Sequence, residues 1–378
     1  MKITTIIGAR PQIIKAAALS RAIQAHFADQ LQEVIVHTGQ HYDENMSQVF
    51  FDELGIPQPH HNLHVGSASH GVQTARMIEG IERILIEERP DYIVLYGDTN
   101  STLAGAVAAS KIHIPIVHIE AGLRSFNKSM PEEINRIVCD HCSTLLFTPT
   151  QAGFDNLLRE GFKADNEGPY TIDNPKVYRC GDIMYDNSLY FSTLSEQKVN
   201  LMKRLDLEGN PFVLATLHRD SNTDDKTRLS AILDAIITLS HEVVVVLPMH
   251  PRTRKMVEGT MDDDRLFQLF HSNNIIITEP VSFLEMIQLE KNARLIVTDS
   301  GGVQKEAFFF KKPCIILRPE TEWVEIVKTG AATLADADKS AILEASMRYL
   351  DCPPTEFPNL FGDGHAASFI LNRLLSNR

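Results

Sequence analysis

"LIVTDSGGVQKEAF", residues 295–308, passes from an apolar, β-branched run through Asp299-Ser300-Gly301-Gly302 into a segment with the 3.6-residue period of a helix. That is the pattern of a strand turning directly into a helix, the unit from which parallel α/β sheets are built. Glycine lets a ligand come close to the backbone at such a turn, and the first free helical amides point outward. Those amides and the helix dipole suit a phosphate or diphosphate. Glu306, one turn further on, could accept hydrogen bonds from sugar hydroxyls.

The same order of strand, turn and helix recurs on both sides. Strand-like runs at 2–7, 33–38, 92–96, 115–118 and 145–148 enclose helical patterns such as Met77-Ile78-Ile81-Ile84-Leu85. The loop-like "KADNEGPYTIDNPK" (163–176) interrupts the series and marks a domain boundary. A second series follows, with strands at 177–180, 212–216, 243–247, 275–277, 294–298 and 314–317 and helices at 224–239, 283–291, 302–311 and 338–350. No sequence repeat relates the halves, yet both read as doubly wound. The expected fold class is therefore α/β, with two Rossmann-like doubly wound domains facing across a cleft. Ligands of such sheets bind beyond the carboxyl ends of the strands, so polar residues just after strands are the site candidates.

The 378 residues suffice for two domains. Hydrophobic content of 43%, charged content of 22% and a mean hydropathy of -0.12 are those of a globular chain. No run approaches a membrane span and Met1-Lys2 leads straight into a strand, so a cytoplasmic location is expected. A net charge of -13 without a basic run argues against nucleic acid or an anionic membrane as partner. The five cysteines are too sparse for a disulfide framework. Cys139 and Cys142 have no second pair to complete a metal site and read as buried helix positions.

Five further strand ends carry candidates. Gly8-Ala9-Arg10-Pro11, with Lys15 following, is not a dinucleotide fingerprint but suits an anion; the structural alternative is a tight turn with solvated cations. In Tyr96-Gly97-Asp98-Thr99-Asn100, Asp98 is either a helix N-cap or a catalytic group. Thr216-Leu217-His218-Arg219 and Pro248-Met249-His250-Pro251-Arg252 each place a histidine near an arginine. "HIEAGLRSFNKSMPEEINR" (118–136) holds three glutamates. Glu120 follows an apolar strand and is a catalytic candidate by position. Ser129-Met130-Pro131-Glu132 spells a capping box, with Ser129 as N-cap and Glu132 reaching back, and Glu133 reads as a solvated first-turn carboxylate.

Taken together, "GARPQIIK", "YGDTNSTLAGA", "HIEAGLRS", "MPEEINR", "HRDSNTDD", "MHPRTR", "TDSGGVQKEA" and "FGDGHA" resemble the non-hydrolysing UDP-N-acetylglucosamine 2-epimerases, in the same order from residue 8 to 366. The resemblance implies two Rossmann-like domains as in the GT-B glycosyltransferases: 1–170 with 366–378, carrying the catalytic carboxylates, and 171–365, binding UDP. It also implies a homodimer that needs neither metal nor nicotinamide. Carried over by position, Asp98, Glu120 and Glu132 match the family's catalytic acids and His218 its catalytic-site histidine. Arg10, Lys15, His250, Ser300, Gly301, Gly302, Glu306 and Arg318 match positions lining the UDP-sugar site.

The C2 proton of an N-acetylhexosamine is not next to a carbonyl. The family's route therefore eliminates UDP to give 2-acetamidoglucal and adds UDP back with the proton delivered to the opposite face, which serves bacterial surface polysaccharide precursors. This chain departs from the family's pattern at Gln12, where Glu is common, at His218-Arg219-Asp220-Ser221-Asn222, and at Thr321-Glu322-Trp323-Val324-Glu325, which lacks an arginine. "KEAFFFKKPC" with "TEWVE" is similar to the subgroup acting on UDP-2,3-diacetamido-2,3-dideoxyglucuronic acid. "TGQHYDENMS" (38–47) differs from sequences of members regulated by UDP-GlcNAc at a second site, which argues against that regulation. Other readings are a hydrolysing relative releasing ManNAc and UDP, a GT-B glycosyltransferase, and a nucleotide-sugar sensor without turnover.

Overall fold

The computed structural model describes residues 1–40, 55 and 57–377, so most of the stretch 38–47 lies outside the described residues. The chain divides into two compact units, Met1–Asn187 with Asn359–Arg378, and Ser188–Pro358.

In the first unit, β1 (Lys2–Ile7), β2 (Gln32–His37), β3 (His61–Asn62), β4 (Tyr92–Tyr96), β5 (Ile116–Ile119), β6 (Leu145–Thr148) and β7 (Lys176–Arg179) form one sheet of order β3-β2-β1-β4-β5-β6-β7. All its pairings are parallel. Helices cover both faces, which is why β4, β5 and β6 are buried along their whole length and read as unbroken apolar runs. The helix Asn100–Lys111 is built from small residues, and Gly105 lets its backbone approach Leu95 closely. The helix His70–Glu88 then buries Met77, Ile81, Ile84 and Leu85 in the same core as Ala104, Ala106 and Ala108. The C-terminal helix Ala366–Ser376 packs on the helix Arg10–Ala22 and belongs to this unit.

The second unit has a six-stranded parallel sheet of order β10-β9-β8-β11-β12-β13. Its strands are β8 (Phe212–Thr216), β9 (Val244–Pro248), β10 (Ile275–Thr278), β11 (Leu295–Thr298), β12 (Cys314–Ile316) and β13 (Ala332–Leu334). Its core joins Val213, Ala215, Val245, Leu247 and Val297 to Leu229, Ile232 and Leu233 of the helix Lys226–Leu239.

In each sheet the strand order reverses once, between β1 and β4 and between β8 and β11. Such a reversal leaves the turns at the carboxyl ends of those strands open to a ligand. Two expectations change. The run near 177–180 does not open the second series: as β7 it pairs with β6, so the first unit continues to Asn187, past the expected boundary at 170. β3 and β13, two and three residues long, carry no legible alternation. No helix among the described residues is long and apolar enough to cross a membrane.

Candidate active site

The turn after β1 can pass close to its neighbours only because Gly8 lacks a side chain: an added Cβ would collide with the Ser101 and Thr38 hydroxyls. Gln12, in the first turn of the helix Arg10–Ala22, is buried. Its amide oxygen accepts the Gly8 and Ala9 N–H groups (2.9 and 3.2 Å), and its amide nitrogen donates to the Tyr96 carbonyl and the Thr102 hydroxyl (both 3.0 Å). Two acceptances and two donations suit an amide, whereas a carboxylate cannot donate. Gln12 thereby ties the turn after β1 to the turn after β4.

At that second turn Gly97 has φ +59°. A Cβ there would lie 3.1 Å from Lys15 Nζ and 3.8 Å from Glu120 Oε2. Lys15 is therefore not a solvated cation: it forms an ion pair with Glu120 beside the turn. Glu120 itself has φ +73°, a conformation that costs a residue with a Cβ and persists only where its surroundings impose it. Thr99, not Asp98, caps the helix Asn100–Lys111, its hydroxyl accepting the Thr102 N–H. The Asp98 carboxylate pairs instead with Arg136, and Asn135 donates to the Asp98 carbonyl at 2.8 Å. Arg10 is exposed.

The capping box expected at Ser129 does not form. Pro131 opens the helix Pro131–Cys142 with Met130 as N-cap, and the Ser129 hydroxyl donates to Asn127 Oδ1 at 2.6 Å. Glu132 is exposed. Glu133, expected in solvent, is buried and accepts the Ser125 and Phe126 N–H groups, both at 2.9 Å, with Arg136 at 3.2 Å. Burial raises its pKa, but those bonds outweigh burial and hold it below the usual carboxylate range.

In the second unit Asp299 is fully buried at the end of β11 and accepts the His218 and Arg219 N–H groups (3.1 and 3.0 Å) at the end of β8. Its Oδ1 is 3.0 Å from His218 Nδ1, which leaves His218, more than half exposed, to present Nε2 outward. Burial pushes Asp299 up, but His218 and the two amides bring it below its ordinary pKa. Ser300 caps the helix Gly301–Phe309. A Cβ on Gly301 would meet Glu322, Arg318 and Arg219 at 3.6–3.9 Å, so two guanidinium groups flank this helix N-terminus. Arg318 is held by Glu322 through bonds of 2.9 and 3.0 Å. A Cβ on Gly302 would lie 4.0 Å from Glu306 Oε2. The Trp323 indole donates to the Gly301 carbonyl at 3.0 Å, with Lys305 Nζ 4.4 Å over its ring. His250 caps the helix Pro251–Glu258 through Nδ1.

Lys15, Glu120, Asp98 and Arg136 thus gather at the reversal point of the first sheet, and His218, Arg219, Ser300, Gly301 and Arg318 at that of the second. Arg136, Asn135 and Asp299 were not singled out from the sequence. The available signals were the position of Arg136, one helical turn after Glu132, and that of Asp299, the first residue of its turn. Among the described residues no group of three or more His, Cys, Asp or Glu side chains could hold a metal ion, and Cys139 and Cys142 are free thiols.

The family profile described as UDP-N-acetylglucosamine 2-epimerase matches residues 22–375. A UDP-N-acetylglucosamine 2-epimerase homolog of Methanococcus maripaludis is 47% identical over 377 residues, covering 99% of both chains. The UDP-2,3-diacetamido-2,3-dideoxy-D-glucuronate 2-epimerase of Pseudomonas aeruginosa is 47% identical over 375 residues, again covering 99% of both. The crystal structure of Methanocaldococcus jannaschii UDP-GlcNAc 2-epimerase in complex with UDP-GlcNAc and UDP matches at TM-score 0.81 and 40% identity, covering 100% of both chains.

Proposed function

The chain belongs to the UDP-N-acetylglucosamine 2-epimerase family, and from that premise we propose that it interconverts UDP-N-acetylglucosamine and UDP-N-acetylmannosamine by eliminating UDP and adding it back. The observation that carries this reading is the division of labour: two ion-paired carboxylates at one reversal point, and a helix N-terminus flanked by two arginines at the other. In the elimination a base takes the C2 proton, the electron pair becomes the C1–C2 double bond, and the C1–O bond electrons leave with UDP. On return a UDP oxygen bonds to C1 and a proton reaches C2 from the opposite face, giving the epimer.

Asp98, Glu120 and Glu132 are the proton-handling candidates, with Lys15 and Arg136 fixing the first two. The Ser300-Gly301-Gly302 turn, with Arg318, Arg219 and His218, would stabilise the charge that grows on the diphosphate as C1–O breaks. Arg10, His250 and Glu306 complete the UDP-sugar contacts. The resemblance also supports a cytoplasmic homodimer supplying surface polysaccharide precursors.

A second substrate is favoured by one observation. Trp323, whose indole donates to the Gly301 carbonyl with Lys305 over its ring, belongs to "TEWVE", which together with "KEAFFFKKPC" is similar in sequence to the diacetamido-glucuronate subgroup. NMR of the protein with each UDP-sugar in D2O tests both. The expected result is deuterium at C2 with two epimers in equilibrium. Absence of C2 exchange with either sugar would overturn the reading, and UDP released in step with free sugar would make the protein a hydrolysing relative.

A further inference from the structure

Behind the two carboxylate-bearing turns lies buried charge that the proton transfer itself does not use. His118 of β5, two residues before Glu120, is fully buried. Its Nδ1 is 2.6 Å from Asp140 Oδ1 and its Nε2 is 2.8 Å from the Gly97 carbonyl oxygen. A carbonyl can only accept. Asp140 acts as a carboxylate towards its other partners, accepting the Gly122 N–H at 3.1 Å and the Arg124 guanidinium at 2.7 Å. Both imidazole nitrogens therefore carry hydrogen, and His118 is an imidazolium. Arg124 continues to Glu160 through two bonds of 2.7 Å, so the four charges alternate in sign and sum to zero.

We propose that Asp140 is a positioning residue for the C2 proton transfer: it holds the His118 imidazolium, whose other N–H fixes the Gly97 carbonyl, and so sets where the Asp98 and Glu120 carboxylates stand. The inference rests on the proposed epimerisation. Asp140 grips the chain on both sides of Glu120, at residues 118 and 122, and through His118 it reaches the residue before Asp98. Glu120 has φ of +73°, so its turn would relax towards a commoner conformation if released, and Gly97, at φ +59°, is a glycine free to take other conformations once its carbonyl is let go. Arg136, which pairs with Asp98, stands one turn before Asp140 on the same helix, so one helix face holds both turns.

The charged or titratable groups around His118 are Asp140 and Cys139 on that helix, Arg124 and Glu160 beyond them, and the Lys15–Glu120 pair near Gly97. Its neighbours across the sheet, Leu95 and Leu146, are apolar.

The test uses the full-length chain with 15N-labelled histidine, the His118 ring signals being assigned by their loss in His118→Gln. Wild type should show both ring nitrogens protonated at about pH 7.5, and Asp140→Asn should leave Nδ1 bare. In that variant the rate of C2 deuterium exchange should fall roughly 100-fold, while UDP affinity stays within about twofold of wild type. A merely structural role would instead lower exchange and UDP affinity together. A neutral His118 ring in wild type would overturn the proposal, as would exchange retained in Asp140→Asn. If Asp140→Asn does not fold, the wild-type ring decides. If wild type exchanges no proton at all, the functional reading fails, and the ring still reports on the clamp.

Discussion

Glu132 and Glu133 are neighbours in one helical turn and sit in opposite surroundings. Glu132 is exposed and caps nothing. Glu132→Gln should therefore keep the wild-type unfolding midpoint, and loss of C2 exchange in it would report chemistry and not folding. Full exchange in that variant would remove Glu132 from the proton path. Glu133 is the structural member of the pair, holding two loop amides from a buried position. Glu133→Ala should cost about 2 kcal/mol in denaturant unfolding, because both donors lose a charged acceptor; a change too small to measure would sink that assignment. Sequence could not separate the two, since Ser129 and Pro131 fit two helix starts one residue apart. The choice was made by the Ser129–Asn127 bond, a loop contact with no periodic signature. Glu120 was legible because its place needs only the end of an apolar strand.

At the scale of elements, two glycines in similar strand-to-helix turns are required for different reasons. Gly8 is fixed by packing, and Gly8→Ala should destabilise the first unit by on the order of 2 kcal/mol, since its Cβ would overlap two side chains. Gly301 is not crowded, its added Cβ meeting only ordinary contacts at 3.6 Å and beyond. Gly301→Ala should fold with an unchanged melting temperature. In calorimetry it should nonetheless bind UDP about tenfold more weakly, a loss of about 1.4 kcal/mol, because the methyl group enters the proposed diphosphate cradle. Unchanged UDP affinity would move the anion away from this helix. The long strands and helices were legible within a residue or two, since each is buried on both faces or along one stripe. The sheet to which β7 belongs was not, because a strand's sequence records its burial and not its partner.

For the molecule as a whole, the buried groups decide how stability follows pH. Asp140 and Asp299 titrate below their ordinary 3.8, and Glu133 below 4.5. The stability they contribute is present above those values and lost as pH falls through their folded pKa values. His37, buried and brought down to about 4, adds stability as pH rises from 4 to 6.5 and nothing beyond. The opposite sign belongs to groups raised by folding. Burial and the neighbouring Glu306 push Glu290 well above 4.5, and burial pushes Asp186 up to about 6. For His118, burial is outweighed by Cys139 and Asp140, which raise it well above 6.5. A raised carboxylate loses stability as pH rises above its unfolded value, and a raised histidine does so above 6.5. Above pH 6.5 the His37 gain is complete while His118 still acts, by up to about 1.4 kcal/mol per pH unit. The net charge of -13 works the same way, since deprotonation adds to self-repulsion. Melting temperature should therefore peak in the mildly acid range and fall between pH 6.5 and about 8. High salt should screen the surface contribution but spare the buried one. His118→Gln should flatten the remaining slope. A melting temperature that is level or rising over this window in high salt would mean that His118 is not held in the protonated state.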